Sequence, residues 1–98
     1  MKVRNMESAK GNKIANQIVI EDCIIDDPRD DSIQITGNMF QSYDSNICFV
    51  WADEIFLDEK YWDYSNTTGK YRNLFLDETK AETQKKIDSG EYVLCNLN

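Results

Sequence analysis

The chain has 98 residues, 41% apolar and 11% aromatic, the make-up of one globular domain rather than of a disordered segment. It carries 11 Lys and Arg against 18 Asp and Glu, a net charge of −7 with a pI near 4.4. That balance argues against gripping nucleic-acid phosphates, which takes clustered cations, and no apolar run approaches the ~20 residues of a membrane span.

Met1 to Asn12 has no clear period and ends in the turn signal Gly11-Asn12, so it reads as a loose arm or a short first strand. Lys13 to Glu21 alternates, with Ile14, Asn16, Ile18 and Ile20 on one side and Ala15, Gln17 and Val19 on the other. The period of two and the β-branched residues predict a strand that can run on through Cys23-Ile24-Ile25. Asp26-Asp27-Pro28-Arg29-Asp30-Asp31 reads as a solvated loop, because proline breaks a ladder and four carboxylates seek water. It lacks the ligand order and central glycine of an EF-hand loop.

Short strands follow at Ser32–Thr36 and Met39–Tyr43, separated by a turn at Gly37-Asn38. A second turn at Asp44-Ser45-Asn46 leads to Ile47–Trp51, the most apolar strand. Ala52-Asp53-Glu54 then closes a hairpin onto Ile55-Phe56-Leu57. Beyond the transition Asp58–Ser65, Thr67 or Thr68 is the expected N-cap of a short helix ending near Leu76, with Tyr71, Leu74 and Phe75 as its apolar stripe. Thr79-Lys80-Ala81-Glu82 is a capping box, Glu82 stands at i, i+4 spacing from Lys86, and Gly90 stops this second helix before a last strand at Glu91–Cys95. Its thin stripe, Ala81 and Ile87, predicts a helix on the surface of the sheet. The fold expected is α+β: a single domain over residues 1–98, an antiparallel β-sheet of four to six strands with two short helices packed on one face.

The inventory for chemistry is sparse. There is no histidine, hence no ordinary Ser-His-Asp or Cys-His pair, and no phosphate-cradling glycine motif. Cys23, Cys48 and Cys95 are odd in number, far apart and set among apolar residues, which predicts reduced core cysteines and no metal site. The N-terminal charges have no apolar stretch behind them, so a cytoplasmic location is expected. Neither catalytic residues nor a cofactor are expected. Clustered carboxylates, Asp58-Glu59-Lys60 among them, leave a metal-dependent nuclease or hydrolase as the alternative, and Ile47–Trp51 at a sheet edge would allow a self-associating structural protein or homodimer. The residue types favoured at binding hot spots are Tyr61, Tyr64 and Arg72. The acids Asp26, Asp27, Asp30 and Asp31, with Asp53, Glu54, Asp58 and Glu59, would form one negative face if the strands bring those turns together. Such a face suits a basic protein surface; ordinary surface charge is the plain reading.

Five stretches also resemble a known group: Gly11–Ile20, Phe40–Ile47, Trp62–Leu76, Glu78–Thr83 and Ser89–Tyr92. Trp62-Asp63-Tyr64-Ser65-Asn66-Thr67-Thr68 is the most specific of them. Together they resemble a family of small uncharacterised proteins encoded by bacteriophages and prophages, relative to which Glu21–Asn38 looks like an insertion in this chain. The resemblance implies an accessory protein in the host cytoplasm that binds and inhibits a bacterial host protein, such as a defence (anti-CRISPR-like) or nucleic-acid-processing factor. The partner expected is a host protein with a basic surface, met through Asp26, Asp27, Asp30, Asp31, Tyr61, Tyr64 and Arg72.

Overall fold

A computed structural model describes residues 1–98. Five strands follow one another as an antiparallel meander: β1 (Lys2–Glu7), β2 (Lys13–Asp27), β3 (Asp30–Ser42), β4 (Ser45–Trp51) and β5 (Glu54–Asp58). Two helices follow, α1 (Asn66–Leu76) and α2 (Lys80–Asp88), and the last strand β6 (Val93–Cys95) lies parallel to β5 at the sheet edge. The fold is α+β, a six-stranded open sheet that is antiparallel except at that edge. Between β5 and β6 the chain crosses over through both helices, the length of connection that a parallel pair requires.

Three hairpins close with two-residue turns, Pro28-Arg29, Tyr43-Asp44 and Ala52-Asp53. Tyr43 (φ 55°) and Ala52 (φ 48°) take left-handed backbone there, matching the right-handed twist of the flanking strands. The run Asp26–Asp31 is therefore not a loop. Asp27 pairs with Asp30 in the ladder, and the proline sits in the turn, where its missing N–H is harmless. Gly37-Asn38 is not a turn either, since β3 runs straight through it. Gly37 is a glycine because β4 passes too close. A Cβ there would strike the Val50 carbonyl oxygen and Trp51 Cβ.

β2 and β3 outrun β4, which leaves Glu21–Gly37 projecting as a two-stranded arm. A bulge at its base, with Asp22 at φ 53°, re-aims it. Because of that extra residue Ile20, Cys23 and Ile25 share a face, and with Ile35 they fold over Met39, Phe49 and Phe56. The arm thus roofs one side of the sheet. The helices roof the other, over Val19, Phe40, Ile47, Cys48, Leu57 and Tyr92. A second bulge, at Ile47, turns Ile47 and Cys48 to this same side. β4 lies between β3 and β5, so Ile47–Trp51 is interior and offers no edge for self-pairing; the free edges are β1 and β6.

The cap of α1 is Ser65, two and three residues before the expected Thr67 and Thr68: its hydroxyl accepts from the Thr68 amide at 3.1 Å. The buried face of α1 is Thr68, Gly69 and Arg72, with Phe75 stacked on Phe40 at 5.6 Å, while Leu74 points to solvent. A polar stripe wins because the sheet beneath offers it partners: the Thr68 hydroxyl meets that of Ser42 at 2.9 Å. In α2 the capping box on Thr79 and Glu82 forms as expected, and Gly90 takes φ 82°. Glu82 is committed to that box. Lys86 turns instead to Glu78, at 2.9 Å.

Candidate interaction surface

The turn residue Arg29 joins the arm to β5. Its Nε and one terminal nitrogen lie 3.2 and 3.3 Å from the two Asp27 oxygens, and its other terminal nitrogen lies 2.5 Å from Glu54 Oε2. The guanidinium carbon stands 5.0 Å from the centre of the Phe56 ring. Asp27 itself is 7% exposed, and the Arg29 guanidinium and amide hold its carboxyl below the ordinary carboxylate range. This tie brings Asp26, Asp30 and Asp31, all exposed, up to Asp53 and Glu54 at the β4–β5 turn.

The negative strip continues along β5. Burial first, and then the charges of Asp58, Glu59 and Asp27 against that of Arg29, push the Cys95 thiol up to about 11. The Arg29–Glu54 ion pair links two of the acidic turns of the sequence. Their acids and those after β5 differ in role. Asp26, Asp31, Asp53 and Glu59 are exposed. Asp30 is exposed too but orders its turn, accepting from the Ser32 amide and hydroxyl, which hold its carboxyl down. Asp58 is buried, with Oδ2 accepting from the amides of Lys60 and Tyr61 and Oδ1 from that of Leu97. It pins the chain's C-terminal stretch to the turn after β5.

That same turn carries the aromatic candidates. Tyr61 packs half-buried on the helix-side core, its ring edge-on to Tyr64 at 5.5 Å, and Tyr64 is 45% exposed. The two tyrosines follow Glu59 in the chain after Lys60, whose ammonium stands 5.3 Å from the centre of the Tyr61 ring.

Arg72 does not reach the surface. It is 0% exposed, beneath α1. One terminal nitrogen donates to the Trp62 carbonyl at 2.6 Å and to Asp63 Oδ1 at 3.2 Å, the other to Asn73 Oδ1 at 2.9 Å, and its plane stacks 5.1 Å from the Trp62 ring. Arg72 thus supports the surface from below and is corrected from a contact to a support, while Asp27 lies just under the surface, covered by Arg29. In sequence a lone arginine beside tryptophan and tyrosines looks like a hot spot. The packing of α1 decides that it is a buried clamp on Trp62-Asp63. Asp63 also accepts from Lys80 at 2.6 Å; burial raises its carboxyl, but Lys80 and Arg72 outweigh this and hold it low.

Sequence reasoning passed over Arg29 and Phe56. The signal for the first was present: a single cation after proline, inside a run of four aspartates. Phe56 carried none, because nothing local says that a residue far along the chain will cover it. Across the molecule no three Cys, Asp or Glu side chains converge as a metal-holding group, and no helix is long and apolar enough to cross a membrane.

Neither the curated proteins nor the solved structures include a match to this chain. Residues 1–91, from the first strand to the end of the second helix and its stop, match a family of unknown function (DUF8033). With the arm, the first five strands and both helices inside the matched span, the chain belongs to that family.

Proposed function

We propose that this is a phage-encoded, non-catalytic binding protein that acts in the host cytoplasm, docking its acidic face on a basic surface of a bacterial protein and blocking it, as anti-defence proteins of the anti-CRISPR kind do. The observation that carries the reading is the tie between arm and β5. It links the hairpin that carries Asp26, Asp30 and Asp31 to the turn that carries Asp53, and these four acids and Glu59 are exposed. Clustered charge of one sign steers a cationic partner in and repels nucleic-acid phosphates. Tyr61 and Tyr64 add a rigid aromatic border of the kind that anchors interfaces. The non-catalytic half rests on Asp58, the carboxylate nearest a nuclease-like Asp-Glu-Lys string, whose oxygens are taken up by three backbone amides.

The test is affinity capture of the tagged protein from bacterial lysate at low and high salt. One dominant host protein near equimolar yield, released by high salt, is the expected result. Reversing Asp26, Asp31 and Asp53 to lysine together is expected to weaken that capture at least tenfold without lowering Tm. Capture unchanged by the reversal would sink the acidic-face reading.

A further inference from the structure

Arg29 sits in a receptor, not merely in a salt bridge. Its fork lies on both oxygens of Asp27, its remaining nitrogen lies on Glu54, and its central carbon stands over the Phe56 ring. Three sides of one guanidinium are met, two of them by the buried Asp27 and Phe56 and the third by the half-exposed Glu54 side chain. Phe56 is wholly buried, Glu54 opens β5, and Asp27 is fixed independently of the side chain, because the Arg29 amide donates to it at 2.8 Å. The occupant's side chain is 45% exposed on a two-residue turn, against 8% for that of Asp27.

We propose that Asp27, Glu54 and Phe56 form an arginine-binding site that Arg29 fills in cis, and that an arginine side chain of a cationic protein partner takes its place on docking. This rests on the reading of the acidic face as the contact surface. The site selects arginine over lysine because a planar fork satisfies both Asp27 oxygens while stacking on a ring, which a point ammonium cannot do. Exchange is feasible because the Arg29 side chain is half-exposed to an incoming group, and one guanidinium replaces another. In the free protein Arg29 keeps the buried Asp27 carboxylate from standing unpaired.

The test needs no partner, so its failure and the failure of partner capture are separable. Arg29→Ala vacates the site and leaves the backbone amide on Asp27. Its Tm is expected to fall by about 5 °C. N-acetyl-argininamide at tens of millimolar, which carries the side chain as a protein does, is expected to restore most of that loss. N-acetyl-lysinamide and NaCl at equal ionic strength are expected to restore less than a quarter of it. Adding Asp27→Asn should abolish the rescue, and the wild type, its site filled, should move by less than 1 °C. If Arg29→Ala is unfolded at room temperature, the same titration is followed as the return of its circular dichroism. Equal rescue by the lysine compound, rescue that survives Asp27→Asn, or no rescue would overturn the proposal. So would rescue by free arginine alone, since that would point to a free amino acid and not to a protein side chain.

Discussion

At the scale of single residues, buried polar groups do most of the specifying. Arg72 and Asp58 are each surrounded by partners that lie close in sequence or at a strand end, yet neither burial is visible locally. The same holds for Glu78, whose side chain is 3% exposed between α1 and α2. It accepts from the hydroxyls of Thr83 and Tyr92 and from the Lys86 ammonium. Burial raises its carboxyl, but the three donors outweigh this and hold it below its ordinary 4.5. A folded value lower than the unfolded one means stability that is full above about 4.5 and is lost as pH falls through the folded value. Glu78→Gln is therefore expected to be about 2 kcal/mol less stable at pH 7, with a flatter loss of stability between pH 5 and 3, read from urea melts across that range. The alkaline side has the opposite sign. Burial, then Glu78, pushes the Tyr92 hydroxyl up from 10 to about 12, so its contribution holds below 10 and is lost as pH rises through 12.

At the scale of elements, the decisive piece is the arm. Alternation, β-branched residues and turn chemistry locate its strands, but the sequence reads Asp26–Asp31 and Gly37-Asn38 as breaks because aspartate, proline, glycine and asparagine all favour turns. The ladder overrides that preference. A two-residue hairpin needs only Pro28 and Arg29 out of the pairing, and Gly37 answers to a neighbouring strand, not to a turn. Gly37→Val is a clean check, because the atoms it would meet are backbone and Cβ, which cannot swing aside. About 3 kcal/mol of destabilisation is expected in denaturant melts, with the arm's amides losing hydrogen-exchange protection first. A variant as stable as the wild type would mean that β3 is not held against β4 there. The helices were more legible. The capping box of α2 was readable residue by residue, whereas the stripe of α1 was not, because its buried face is polar.

At the scale of the whole molecule, the arm and the helices roof opposite sides of one sheet. Replacing Cys23–Thr36 by a two-residue turn is expected to uncover Met39, Phe49 and Phe56, and light scattering should then show association in place of a monomer-sized particle. A shortened chain that stays unassociated and equally stable would show that the second core does not need its roof. The amino-acid sequence by itself determined the α+β class, the strand-rich first half, the second helix with its cap and stop, and the acidic balance that argues against phosphate binding. These follow from periodicities of two and 3.6, from cap chemistry and from counting charge, all of which are local. Only the tertiary structure decided that the projecting hairpin folds back, that Arg29 lands on Asp27, Glu54 and Phe56, and that Arg72 is inside. Those outcomes depend on a one-residue bulge and on where two long strands outrun a third, and register between distant segments leaves no mark on either segment alone.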